Sequence, residues 1–166
     1  MLIMAVILTF LMITVMITDM THFIIPNSLV IAILLLYPIL LYTAPVRPDW
    51  KIGLLIALAV FAAGFLLFAF QIMGGGDIKL LVAASLFAGK DGFPEFIMGV
   101  GIFGGLLAVI LLLLRQIIPY LFLKLKRPPT SIPRLLTTDQ PAPYGVAIAT
   151  AFLIVLWSGK IPGIIL

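Results

Sequence analysis

Residues 52–73, IGLLIALAVFAAGFLLFAFQIM, carry no charge and run directly into Gly74-Gly75-Gly76-Asp77. An α-helix needs about 20 apolar residues to cross ~30 Å of hydrocarbon, so this stretch is long enough to span a bilayer, and the glycines mark where it stops. The rest of the chain agrees. Of 166 residues, 64% are hydrophobic and 10% are charged, against roughly 25% charged in an ordinary soluble domain. Sixteen charges cannot cover the outside of a soluble fold of this size, so the apolar excess faces lipid. The expected architecture is all-α: one integral-membrane domain over residues 1–166, a bundle of about six helices.

Outward from that stretch, the other spans are bounded by polar or helix-breaking residues. The first runs from Leu2 to Thr18 and ends at Asp19. It has neither a Lys/Arg start nor a small-residue cleavage site, and reads as a retained span. After the Ile25-Pro26-Asn27 turn, the second covers Ser28–Thr43, with Pro38 inside it as an expected kink. Ile78–Ala88 forms a short fourth helix, Gly89–Glu95 a turn, Phe96–Leu114 a fifth helix, and Tyr144–Trp157 begins a sixth. Arg115–Pro143 is the long polar stretch, with a segment at Ile117–Leu125 suited either to lie on anionic lipid or to serve as a plain connection.

Composition excludes several chemistries. With no Cys there is no disulfide, thiolate metal site or Cys nucleophile, and a single His22 cannot build a histidine metal cluster. No cofactor or metal is expected. The net charge of +4 fits a surface resting on anionic headgroups, and no basic-aromatic cluster points to nucleic acid. With the N-terminus outside, the cytoplasmic segments hold Lys79, Arg115, Lys124, Lys126, Arg127 and Arg134, six against the four of Arg47, Lys51, Lys90 and Lys160. That excess puts the ends bearing Asp19 and Asp77 in the cytoplasm. Two complete crossings separate these acids, so they share a side in either orientation.

Each acid has a structural explanation when taken singly. Asp19 closes a helix at its unfavourable, negative end, where it can stop the span at the water line or serve a turn. Asp77 can cap the helix beginning at Ile78, behind a glycine hinge. As a pair on one side of a membrane bundle they point to function. Two carboxylates sharing a site cannot both ionise cheaply, so one holds a proton that the other has given up. With a water between them the ionised group acts as base and the neutral one as acid, which is the equipment for amide hydrolysis. Gly74, Gly75 and Gly76, as an active-site loop, would let an extended substrate backbone approach Asp77. The rival from another class is a small proton or ion transporter using Asp19 and Asp77 as a relay.

Asp19 followed by Ile25-Pro26-Asn27, then Gly74-Gly75-Gly76-Asp77-Ile78-Lys79, and finally Pro143-Tyr144-Gly145, resembles the type IV prepilin peptidases, integral-membrane Gly-x-Gly-Asp proteases. The likeness runs in order along the whole chain and is to the small stand-alone members. It implies an aspartic endopeptidase with Asp19 and Asp77 as the catalytic pair, removing a short basic leader from a prepilin-like membrane substrate at the cytoplasmic face of the inner membrane. The paired Cys-x-x-Cys segment of larger, N-methylating members has no counterpart here. Presenilin-like proteases share Gly-x-Gly-Asp but carry Pro-Ala-Leu where this chain has Pro141-Ala142-Pro143, so they rank second.

Three smaller readings complete the set. Gly99-Val-Gly101-Ile-Phe-Gly104 matches a dinucleotide fingerprint as a string, but it lies inside an apolar span with no preceding strand. Gly101 and Gly105 instead have the spacing for close helix packing. Lys79 lies about 200° around a helix from Asp77, which favours reaching for headgroups over facing the aspartate. His22 reads as an interfacial polar residue.

Overall fold

The computed structural model describes residues 1–124 and 142–164, so most of the expected polar stretch Arg115–Pro143 and the end of the segment at Ile117–Leu125 lie outside the described residues. The chain forms α1 (Leu2–His22), α2 (Asn27–Thr43), α3 (Trp50–Ala69), α4 (Gly75–Lys124) and α5 (Tyr144–Trp157), with no strand among the described residues. Three stretches, Leu2–His22, Trp50–Ala69 and Gly75–Ile118, are long and apolar enough to cross a membrane, and α2 and α5 are shorter apolar helices. Outward-facing Leu55, Leu58, Phe61 and Phe65 on α3 are all more than half exposed, as a lipid-facing helix requires.

α4 is two rods. Gly89, at φ 57° and ψ −161°, lies in a region of backbone space open essentially to glycine, and it divides the helix into arms 75–88 and 90–124. The chain reverses there: beyond Gly89, which approaches Pro162, Gly92, Gly99 and Gly104 approach Val155, Ala151 and Tyr144 in turn, running back along α5. Phe87 and Phe96, one on each arm, both pack edge-on against Phe152 of α5, with ring centroids 6.2 and 6.3 Å away. Counting both arms, the described residues form six rods, in line with the expectation of about six helices. The expected turn over Gly89–Glu95 shrinks to Gly89, because residues 90–95 already belong to the second arm.

The first arm and α5 occupy the centre. Ala83, Ala84 and Ala88 on one and Ala147, Ala149 and Ala151 on the other are fully or almost fully buried, and such small side chains let helices approach closely in lipid. The second arm closes on α5 through Gly92, Gly99 and Gly104, whose absent Cβ atoms would meet Val155, Ala151 and Tyr144 at 2.8, 3.0 and 3.4 Å. Gly101 and Gly105, the pair expected to do this, have nothing within 4 Å. Their spacing was suitable, but they lie on the face turned away from α5.

α1 runs antiparallel to α5, the Trp157 indole Nε1 donating to Thr9 Oγ1 at one end while Asp19 meets Gly145 at the other. The Asp49 carboxylate caps α3 by accepting from the amides of Lys51 and Ile52. At that same end of the bundle, an ion pair between Lys160 and Glu95 ties the chain after α5 to the second arm. The opposite end gathers the last turn of α1, the start of α2, the end of α3 and the beginnings of α4 and α5.

Candidate active site

That gathering encloses a cavity of about 940 Å³ whose walls include Asp19, Ile25, Asn27, Phe68, Met73, Gly74, Asp77, Lys79 and Tyr144. Each acid is held there by ordinary helix-end chemistry. α4 begins at Gly75, three residues before the expected start, and the Ile78 amide donates to the Gly74 carbonyl at 3.2 Å. Gly74 is thus the cap residue, and Gly75 and Gly76 form the first helical turn instead of a loop. Asp77 is the third helical residue. Its carboxylate turns back toward the Gly74 amide, the second half of a capping box. A Cβ on Gly74 would lie 2.9 Å from Asp77 Oδ2, so glycine permits this fold-back.

Asp19 lies in the last turn of α1 and is only 4% exposed. The negative end of α1 offers nothing to a carboxylate. The positive end of another helix does: the backbone amides of Gly145 and Val146, in the first turn of α5, face Asp19. The same Gly145 amide also faces Asp77, and Asp19 is near enough for its charge to act on Asp77. One helix N-terminus therefore addresses both carboxylates. Asp19 Oδ2 is buried and has no hydrogen-bond donor among the described residues.

Residues 6–109, well over half of the chain and including both aspartates, match the type IV leader peptidase family. The chain belongs to that family. It is a multi-pass membrane peptidase by family and by its apolar helices. No curated protein and no solved structure matches it. Pro143-Tyr144-Gly145 lies beyond the matched residues, yet it supplies the leader peptidase with the floor beneath both acids.

Lys79, expected to reach for the headgroups, is exposed. It lines the cavity, and its Nζ donates to Asn27 Oδ1 at 3.0 Å, joining the start of α2 to the start of α4. The two-residue offset from Asp77 correctly turns Lys79 away from that carboxylate, but only the placement of α2 supplies a partner in the new direction. His22 is exposed, bonded to the Thr21 hydroxyl at 2.7 Å, and does not line the cavity. Neither Gly145 nor the wall at Phe68–Met73 stood out in the sequence as part of the site chemistry. The signal for Gly145 was a glycine directly inside a helix that starts after proline, where no turn requires it.

Proposed function

We propose that this leader peptidase is an aspartic endopeptidase in which Asp19 and Asp77 share one proton and activate one water. The observation that carries the reading is the Gly145 amide, which faces both carboxylates at the head of α5. A pair holding one proton carries a single negative charge. A helix N-terminus is suited to stabilise that charge without favouring one oxygen permanently.

The ionised aspartate takes a proton from the water as its oxygen attacks the scissile carbonyl carbon, and the neutral aspartate protonates the carbonyl oxygen. A tetrahedral diol results. The first aspartate then passes its new proton to the amide nitrogen and the C–N bond breaks. The second recovers a proton from the diol as the new carboxyl group forms, so the pair ends as it began. Asp19 Oδ2, buried beside Asp77 and without a donor among the described residues, has its lone pairs free for that water or for the proton of its partner. The exposed backbone of Gly74 leaves room for an extended peptide next to Asp77.

The substrate is a prepilin-like membrane protein with a short basic leader, cut at the cytoplasmic face. The excess of Lys and Arg in the segments on the aspartate side supports that orientation. Separate Asp19→Asn and Asp77→Asn variants, assayed on a membrane-inserted prepilin, test the assignment. Each is expected at wild-type abundance with cleavage reduced at least ~10³-fold, in the range for loss of a general acid or base. Full cleavage by either variant defeats it.

A further inference from the structure

A second hollow adjoins the first. α2 and α3 both lean on the first arm of α4 but make hardly any contact with each other. Between them runs a groove of about 370 Å³, lined by Val30, Ile31 and Leu34 of α2, Phe61 of α3 and Val82 of α4. Every one of these is apolar, and Ile31, Leu34 and Phe61 are exposed on its outward side. Asn27 and Lys79 stand at its head, and the same two residues line the aspartate cavity. Their hydrogen bond is thus the sill between a polar chamber and an apolar channel.

We propose that this groove seats the apolar segment of the substrate that follows the scissile bond. The proposal rests on the peptidase reading above and adds where the uncut part of the substrate lies. Three features of the groove fit that occupant. It shares Asn27 and Lys79 with the chamber, so a chain that passes the aspartates and crosses that sill meets it next. From Asn27 to Leu34 it descends α2 by about 10 Å, from the site toward the apolar depth of the bundle. Its volume admits the side chains of one helix face, spaced at three and four residues, while the helix itself stays in lipid. A leader peptidase must find the junction between a polar leader and a membrane segment. A site that changes from polar to apolar at Asn27 and Lys79 recognises that change of polarity as well as the bond.

The chain has no cysteine, so single introduced cysteines report unambiguously. In an Asp77→Asn background, Leu34→Cys is expected to form a disulfide with a cysteine placed in the apolar segment of a prepilin substrate, and Leu55→Cys, exposed on the outer face of α3, is not. Independently, Ile31→Trp and Leu34→Trp fill the groove. Each should raise KM about tenfold or more on the membrane substrate with kcat nearly unchanged. On a soluble peptide containing only leader and junction, kcat/KM should not change. Equal trapping at both cysteines, no trapping, or equal losses on both substrates overturns the proposal. Protection of Leu34→Cys from a membrane-permeant thiol reagent that persists without substrate assigns the groove to a lipid acyl chain and overturns it too. Failure of the unmodified enzyme to cut a prepilin strikes the peptidase reading; normal cutting by groove variants strikes this inference alone.

Discussion

Replacing Gly145 by alanine tests how closely the head of α5 governs the aspartate pair. The added Cβ would lie 2.7 Å from Asp19 Oδ2, 2.8 Å from Ile25 Cδ1 and 3.0 Å from Asp19 Cγ. Relaxed contacts begin near ~3.5 Å, so the worst overlap is about 0.8 Å. Ile25 is buried against the core and its terminal carbon has little room to retreat, so the carboxylate or the α5 backbone must shift by several tenths of an ångström. A displacement of ~1 Å at reacting groups costs on the order of 10²-fold in rate. Overpacking costs about 1–3 kcal/mol, partly offset by the ~1 kcal/mol by which alanine exceeds glycine in a helix. A shift of several tenths of an ångström takes part of that rate loss, so the expected outcome is a fall in kcat of about tenfold or more on a membrane-inserted prepilin, with the purified protein still folded and its melting temperature lowered by only a few degrees. Gly101→Ala, where a Cβ meets nothing within 4 Å, is the control and should keep wild-type rates. A folded Gly145→Ala enzyme with undiminished kcat would refute the claim that this contact positions Asp19.

Other predictions follow from single features. Gly89→Ala places a side chain in a backbone region costing ~1–3 kcal/mol and sets a Cβ 3.1 Å from Pro162 Cγ; thermal unfolding in detergent should show a clear drop, and an unchanged midpoint would mean the reversal is not held there. The Lys79–Asn27 hydrogen bond joins exposed groups, so a double-mutant cycle with Lys79→Met and Asn27→Ala should give a coupling below about 1 kcal/mol; several kcal/mol would contradict that exposure. In the proposed mechanism the pair works with one proton, so kcat against pH should be bell-shaped, declining on the acid side as both groups protonate and on the alkaline side as both ionise; a single sigmoid refutes a shared proton. With one histidine, no cysteine and no metal-competent acidic or histidine cluster among the described residues, EDTA should leave the rate unchanged; a loss restored by added metal refutes this.

Helix by helix, the fold was largely legible in order and number, because a bilayer demands long uncharged runs and every run here is bounded by charge, glycine or proline. The bounds themselves were less legible. α1 continues past Asp19 to His22, and α4 starts at Gly75, since helix ends are set by caps and neighbouring helices as much as by the last apolar residue. The lipid-packing glycines were misassigned for the same reason: spacing defines a stripe on a helix, but not which stripe meets a partner.

The primary sequence by itself determined that this chain is an all-helical membrane protein of the type IV leader peptidase family, and that Asp19 and Asp77 lie on one side of it. Hydrophobic run length decides the helices, the parity of crossings decides that the acids share a side, and the family rests on the motifs around Asp19, Asp77 and Gly145, all without any knowledge of packing. Only the tertiary structure decided that both acids share one cavity, that the Gly145 amide faces the two together, and that Lys79 bonds Asn27. These depend on residues brought together from 52 to more than 120 positions apart, whose approach is set by how helices pack around small side chains at their crossings.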